Sequence, residues 1–240
     1  LSVTGNLPAS MGAERFDATT AEGHRAQVWL WPAQSLKSLG IDSLAHLIES
    51  LQGVHHIGLT DIVHGSIAPD HAVVAFARPR GVTLSAHVRR SAMSAIEAIA
   101  SATVVLDALT AAQELGFRVG WWTTDTLWVL DRGPAWVLAA PGLCWAQRLP
   151  SQDNISDIAF RAPEMADRSA SLLNASNPEH AAVEAYALGA TLFFALCGKF
   201  PFNALTVDAY IAEQKERSPS SILQYREDVK QHRQLISLID

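Results

Sequence analysis

The most constraining feature of the chain is a pair of motifs separated by about twenty residues. The first reads RAPE, from Arg161 to Glu164, and the second reads EAYALGATLFFALCGKFPF, from Glu184 to Phe202. The second motif predicts a helix that is apolar on almost every side, which is typical of a helix buried in a core. Gly198 is a natural terminator, and Pro201 cannot continue a helix. Because the apolar run is shorter than the ~20 residues that cross a bilayer, we predict no membrane segment.

The pattern along the chain changes from strand-rich to helical near the sequence ARPRG. Before it, RFDATTAEGHRAQVWLW predicts a hairpin around EGH, residues 43–51 have helical spacing, and LTDIV and HAVVAF predict strands. After it, a long Ala-rich helix is predicted to end at Gly116, and the short strands TLWVL and AWVLA follow. Three helices are predicted in the remainder, the last over VKQHRQLISLID. We therefore place a strand-rich unit at 1–78 and a helical unit at 79–240.

Charge and cysteine content exclude several classes of protein. The 240 residues carry 18 basic and 24 acidic side chains, a net charge of −6, and the scattered basic residues argue against a nucleic-acid face. Arg78, Arg80, Arg89 and Arg90 form the one basic concentration, which we interpret as a solvated loop and helix edge. Two cysteines are too few for a disulfide framework or a zinc site, so we expect reduced core thiols and a cytoplasmic protein. A start at Leu1 indicates a piece of a longer chain.

The two motifs together resemble the A-P-E motif and the following helix, D-x-Y-x-L-G-x-x-L-x-x-L-x-x-G-x-x-P-F, of protein kinases of the bacterial serine/threonine type. The resemblance implies an α+β, bilobal kinase-like fold with a strand-rich N-lobe, a helical C-lobe, and the last C-lobe helices truncated or absent. It implies structural roles for Pro163 and Glu164 at the end of the activation segment and for Gly189 in helix packing. Glu184 replaces the aspartate that braces the catalytic loop. Glu164 lacks the arginine that pairs with it in the family, so it is solvated or pairs with Arg161 or another base.

The resemblance also assigns positions to residues that cannot perform kinase chemistry. The catalytic loop H-R-D-L-x-x-x-N corresponds to GFRVGWWTTDTL, which places Trp121 at the proton-accepting Asp and Thr126 at the metal-binding Asn. Indole carries only an N–H donor and cannot accept that proton. Ala140 stands at the metal-binding position of D-F-G, and a methyl group cannot coordinate Mg²⁺.

The nucleotide-binding elements of the N-lobe have changed in the same way. The glycine positions of the Gly-rich loop correspond to about Pro8, Ser10, Ala13 and Arg15, and proline there removes a backbone donor. Leu30 takes the position of the lysine in V-A-I-K, with Trp29 or Trp31 there if the register slips by one. The glutamate that would pair with this lysine falls nearer Ala45 than Glu49. We therefore expect no bound nucleotide, metal ion or other cofactor.

These losses predict a catalytically inactive pseudokinase that acts as a regulatory or scaffolding, protein-binding module in signalling. The chain is similar to the cytoplasmic pseudokinase domains attached to actinobacterial lipid II flippases of the MviN or MurJ type, which function in cell wall regulation. That similarity implies phosphorylation by an active Ser/Thr kinase, recruitment of a phosphothreonine-binding forkhead-associated domain, and a membrane tether outside this chain. The candidate phosphorylation sites are Ser151, Ser156, Thr206 and Ser218, each of which also fits a turn or N-cap role.

Two alternatives come from other functional classes. The first is an atypical nucleotide-binding enzyme that uses the fold for other phosphate chemistry, for which Asp125, Asp131 and Asp153 are the available acids. The second is a small-ligand sensor with an aromatic cleft around Trp31 and Trp121. In both cases polar or aromatic groups would have to converge on an accessible cleft.

Overall fold

The computed structural model describes residues 1–10, 12–38, 41–52, 54–133, 135–146, 155–165 and 179–239. The N-terminal part contains five strands and one α-helix: β1 Ser2–Ser10, β2 Ala13–Thr19, β3 Arg25–Pro32, α1 Ile41–Leu51, β4 Ile62–Ile67 and β5 His71–Ala77. The strands form one antiparallel sheet in the order β1-β2-β3-β5-β4. This is the strand-rich lobe that the sequence predicts within residues 1–78.

Each hairpin of this sheet follows from local sequence. The turn between β2 and β3 contains Gly23 at φ +85°, a backbone conformation that favours glycine. In β1, the pairing with β2 shifts between Leu7 and Ser10, on either side of Pro8. A proline cannot donate a ladder hydrogen bond, which explains an irregularity at this position on an edge strand. β4 and β5 form a hairpin in which β5 matches the predicted strand HAVVAF, but β4 covers Ile62–Ile67 and not the predicted LTDIV, residues 59–63.

The two faces of the sheet differ. Leu44, Leu47 and Ile48 of α1 belong to the same buried cluster as Trp29 and Trp31 of β3, whereas Val28 of β3 belongs to a small separate cluster with Ala18 and Ala75. Side chains alternate between the faces of a strand. Trp29 and Trp31 therefore face α1 and the body of the protein.

The described residues of the C-terminal part form three short strands and six α-helices: β6 Gly81–Thr83, α2 Leu84–Val88, α3 Ala95–Glu114, β7 Leu127–Leu130, β8 Trp136–Leu138, α4 Ile155–Ile158, α5 Glu179–Cys197, α6 Val207–Glu216 and α7 Arg233–Ile239. The strands pair in the order β6-β7-β8. One parallel bridge, between Leu59 and Leu138, joins the segment after α1 to β8.

Helix α3 begins at a capping box, in which the Ser94 hydroxyl accepts from the Glu97 N–H and the Glu97 carboxylate accepts from the Ser94 N–H. The helix ends just before Gly116, which has φ +76°. Within the described part of the chain, α3 is the one helix long and apolar enough to cross a bilayer by length and composition, but 44% of that stretch is buried inside the protein. Its small buried residues pack against β8 and α5.

The last helix is shorter than predicted. Instead of one helix from Val229 onward, a 3₁₀ segment covers Glu227–Gln231 and α7 begins at Arg233. His232 between them has φ −100° and ψ 64°, outside the helical region, so the chain bends there and the periodic apolar pattern divides into two elements. Gly198, Gly116 and the other predicted helix ends lie where the sequence places them.

Candidate functional site

The loop between α3 and β7 carries the first two positions of interest, and both are buried. Trp121 is 8% exposed, and the Arg161 guanidinium lies over its ring at 5.6 Å from the centroid. Thr126 is 2% exposed, and its Oγ1 accepts a hydrogen bond of 2.9 Å from the Thr123 N–H. The Thr126 side chain therefore stabilises its own loop through a local hydrogen bond. Trp121 contributes packing and a cation–π contact.

The adjacent Trp122 anchors the same loop to α5. Its Nε1 donates to Thr191 Oγ1 at 2.8 Å, and the Thr191 hydroxyl donates in turn to the Ala187 carbonyl. All three groups are buried, so this chain of hydrogen bonds satisfies an indole N–H that would otherwise be costly to bury. The tryptophans of this loop are core residues with specific partners.

Glu184 on α5 makes the backbone contacts that the resemblance implies for its position. Its Oε1 accepts from the backbone N–H groups of Val119 at 2.9 Å and Gly120 at 3.1 Å, while Oε2 pairs with Arg118 Nη1 at 3.0 Å. Burial raises the pKa of the Glu184 carboxyl, although the hydrogen bonds and the Arg118 charge act in the opposite direction. Glu184 therefore holds the loop after α3 through two backbone N–H groups and one arginine.

The segment Ala140–Gly142 forms the floor of the site. Ala140 is buried and has φ 59°, the one non-glycine residue in the described ranges with a positive φ. Its N–H donates to Thr60 Oγ1 at 3.2 Å, and the Thr60 hydroxyl donates to the Leu138 carbonyl at 3.4 Å. No oxygen ligand stands at the Ala140 side chain, since its only side-chain atom is a methyl carbon.

The roof of the site is the inner face of the five-stranded sheet. Trp29 is fully buried, meets Phe76 edge to face at 5.5 Å between ring centroids, and carries the Arg15 guanidinium 5.0 Å above its ring. Strand alternation puts Leu30, predicted at the lysine position, on the face of β3 opposite to Trp29 and Trp31, with Val28. The register slipped by one, with Trp29 or Trp31 facing inward, fits the structure.

Arg78, directly after β5, connects the two lobes at the back of the site. Its guanidinium pairs with Asp17 Oδ2 at 3.0 Å and lies 5.3 Å from the centroid of the Trp128 ring on β7. Asp17 is on β2, so one arginine joins the first sheet to the second. Three arginines, Arg15, Arg78 and Arg161, thus stack on three tryptophans around the region between the lobes.

The other predicted residues are dispersed. Glu49 is exposed on the outer side of α1, and Glu164, within the 3₁₀ turn Pro163–Met165, is also exposed. Arg161 donates to the Met165 carbonyl through Nε and Nη2, and no ion pair involves Glu164 among the described residues. Gly189 is buried in the middle of α5 and borders a pocket of about 370 Å³ with Pro201 and Phe202.

The acids that an alternative enzyme would use do not converge on the cleft. Asp125 is exposed and accepts a hydrogen bond of 2.6 Å from Ser85, Asp131 is exposed in the turn after β7, and Asp153 lies outside the described residues. Across the described ranges, no group of three or more His, Cys, Asp or Glu side chains is placed to hold a metal ion. Cys144 and Cys197 are not joined in a disulfide, and the Cys144 thiol donates to the Val119 carbonyl at 3.4 Å.

The candidate phosphorylation sites differ in exposure. Thr206 is exposed and is the N-cap of α6, where its Oγ1 accepts from the Ala209 N–H at 3.3 Å. Ser218 is exposed just before Pro219, Ser156 is half-buried in α4, and Ser151 lies outside the described residues. Leu205, beside Thr206, is 94% exposed, so the most accessible large apolar side chain adjoins this candidate.

Comparison with known proteins supports the fold and leaves the function open. No family profile and no curated protein matches the chain. Among solved structures, the whole chain superposes on Rad53 1–466 in complex with AMP-PNP, with a TM-score of 0.74 and 16% identity, and spans 59% of that chain. Two structures of the Mycobacterium tuberculosis PknI kinase domain match 99% of this chain and 86% of their own length, with a TM-score of 0.69 and 16% identity. The chain therefore has a bilobal protein-kinase-like fold.

Sequence reasoning missed the arginines of the site. It placed Arg15 at a glycine position and interpreted Arg78 as a solvated loop residue, whereas both stack on buried tryptophans. It did not consider Arg118, which pairs with Glu184. The available signal was the pair Arg15 and Trp29. These two residues become direct cross-strand partners once β2 and β3 are aligned.

Proposed function

We propose that the chain is a catalytically inactive pseudokinase that acts as a protein-binding module. The observation that carries this proposal is the burial of Trp121, Thr126 and Ala140, which occupy the base and metal positions with groups that neither accept a proton nor ligate Mg²⁺. Phosphoryl transfer depends on positioning and charge stabilisation by the residues lost here. The stacking of Arg15 on Trp29 and of Arg78 on Trp128 in the region between the lobes supports the same proposal.

The first test is nucleotide binding measured by thermal shift. We expect the melting temperature to stay unchanged on titration with Mg-ATP, because the base, the metal ligands and the lysine are all replaced. A ligand at 100 times its Kd adds about 2.7 kcal/mol of stability, which for a domain of this size corresponds to roughly 5–11 °C. An active serine/threonine kinase domain titrated in parallel is the control. A saturable shift of that size in this protein would contradict the proposal.

The finer part of the proposal concerns recruitment. We place the regulatory phosphorylation, by an active Ser/Thr kinase, at Thr206, and the partner is a forkhead-associated domain, which binds phosphothreonine. Thr206 supports this role because it is exposed, is the one threonine among the four candidates, and adjoins the exposed Leu205. A phosphate at an N-cap is compatible with the helix, since the partial positive charge at a helix N-terminus favours an anion.

The test of Thr206 compares two substitutions after treatment with an active Ser/Thr kinase. Thr206→Asn keeps an N-cap of similar strength but cannot be phosphorylated, and Thr206→Ser keeps both the cap and a phosphorylatable hydroxyl. We expect a forkhead-associated domain to bind the phosphorylated wild type and not to bind Thr206→Asn. Its binding to phosphorylated Thr206→Ser should be much weaker, because the forkhead-associated domain selects phosphothreonine. Equal retention of the wild type and Thr206→Asn would exclude this residue, and equal retention with and without phosphatase would exclude phosphate-dependent recruitment.

The location of the domain is part of the same proposal. We propose a cytoplasmic position at the inner face of the membrane, tethered by a segment outside this chain, as in the flippase-linked pseudokinases of cell wall regulation that the sequence resembles. The net charge of −6 gives the domain no attraction of its own to an anionic membrane surface. Fractionation of cells that express the full-length protein, with and without its flanking segments, tests this.

A further inference from the structure

A pocket of about 590 Å³ lies where three parts of the chain meet, and it shares Arg78 with the region between the lobes. Its lining comes from the β2–β3 turn, from the segment that links the two sheets, and from the turn after β7: Gly23, His24, Arg25, Ala77, Arg78, Pro79, Arg80, Gly81 and Asp131. Both lobes contribute, so a ligand in this pocket would touch the two lobes and their connection together. We call it the linker pocket.

The charge of the linker pocket is opposite to that of the protein. In a chain of net charge −6, its lining carries three arginines and one aspartate. Arg78 is neutralised by Asp17 at 3.0 Å, but Arg25 and Arg80 are exposed and have no hydrogen bond or ion pair from their side chains to any described residue. Two guanidinium groups thus remain available, and Asp131 is the one acidic residue in the same lining.

The lining also leaves room for a polypeptide. Gly23 and Ala77 present little or no side chain, and a Cβ added to Gly23 would meet no atom within 4 Å, whereas Gly81 packs directly against the Val129 backbone. A volume of about 590 Å³ is far larger than an inorganic phosphate needs, and falls within the roughly 300–1,000 Å³ of specific ligand sites. Guanidinium groups are suited to a phosphate because their N–H donors match its oxygens in pairs.

The geometry points to the linker pocket as a docking site for a phosphorylated side chain of a partner polypeptide, held by Arg25 and Arg80. This inference rests on the proposed binding-module function and names the chemistry of a partner that contacts a surface whose lining does not include Thr206. It revises our interpretation of Arg78 and Arg80 as a purely solvated loop. Asp131 opposes the ligand, so its removal is expected to strengthen binding.

The test is an NMR titration of the isotopically labelled domain with a terminally blocked Ala-phosphoserine-Ala peptide, the same peptide without phosphate, and inorganic phosphate. We expect saturable shifts of the Gly23, Gly81 and Asp131 amides with the phosphopeptide and none with the unphosphorylated peptide. Arg25→Glu/Arg80→Glu should weaken binding at least about tenfold, and Asp131→Asn should tighten it. Arg233→Glu, an exposed substitution on α7, is the matched control and should leave the affinity unchanged.

Each other outcome overturns the inference in a defined way. Shifts that persist in Arg25→Glu/Arg80→Glu, or that centre on other residues, would exclude the pocket. Equal affinity for inorganic phosphate and the phosphopeptide would show a free-anion site and exclude a peptide. The proposed function is tested separately: if Arg25→Glu/Arg80→Glu still captures the forkhead-associated domain through phosphorylated Thr206, the module functions and a silent titration disproves only the pocket.

Discussion

Replacing Glu184 with alanine is expected to lower the free energy of unfolding by about 3–5 kcal/mol. The carboxylate is buried and receives two backbone N–H groups and the Arg118 guanidinium. Removing it leaves a buried positive charge and two donors without their acceptor, which costs far more than the contact itself contributes. For a domain with a total stability of about 5–15 kcal/mol, this is a large share. Urea unfolding followed by circular dichroism measures the loss.

Two further variants identify the cause. Glu216→Ala changes an exposed glutamate on α6 and should stay within about 0.5 kcal/mol of the wild type. Arg118→Leu combined with Glu184→Gln removes both charges and keeps one carbonyl acceptor for the Val119 and Gly120 N–H groups. If the uncompensated charge dominates, this double variant is more stable than the sum of its single losses by about 0.5–3 kcal/mol. Strict additivity would show that the ion pair is not what holds the loop.

Most of the fold was predictable from the sequence because its signals are local. Gly116 and Gly198 follow the ends of long periodic helices, and EGH forms the turn of a hairpin. RAPE and the helix that contains Glu184 indicate the order of the C-terminal elements. These features depend on backbone preferences within a few residues. The break at His232 was missed because apolar periodicity alone does not reveal one non-helical residue between two short elements.

The site was less predictable because it depends on register. One residue of shift in β3 moves Leu30 to the outer face and brings Trp29 and Trp31 inward. The arginine–tryptophan stacks join residues that are far apart in sequence, such as Arg78 and Trp128. The position of Glu184 was predictable from its motif, whereas its partner Arg118 required the structure, since no spacing rule links a loop residue to a helix 66 residues away.

The proposed loss of catalysis has a counterpart in the packing of the site. In an active site of this type, the base and metal ligands are polar groups held open for substrate, which lowers stability. Here Trp122 is tied to Thr191, Thr126 closes its own loop, and Ala140 is held by Thr60. The positions that would carry chemistry are part of the hydrophobic core, so the proposed loss of catalysis and the gain of packing are one structural change.

Replacing Gly142 with alanine is expected to destabilise the protein by roughly 2–5 kcal/mol. Gly142 has φ +77°, where an L-residue is strained by about 1–2 kcal/mol. An added Cβ would lie 2.3 Å from Phe117 Cζ and 2.7 Å from Leu47 Cδ1, and overpacking a core costs typically about 1–3 kcal/mol more. Because Leu47 belongs to α1 and Phe117 follows α3, the strain would be felt at the contact between the lobes.

Gly116→Ala separates the two contributions, because Gly116 has φ +76° but a Cβ there would meet no atom within 4 Å. Thermal and urea unfolding should show that this control loses only the backbone part, about 1–2 kcal/mol. Phe117→Leu shortens the side chain nearest to the added Cβ. The free energy of unfolding that Phe117→Leu removes should therefore be smaller in the Gly142→Ala background than in the wild type. If Gly142→Ala and Gly116→Ala lose the same stability, the close packing of Gly142 between Phe117 and Leu47 does not contribute to stability. The glycine at position 142 would then be required only for its positive φ.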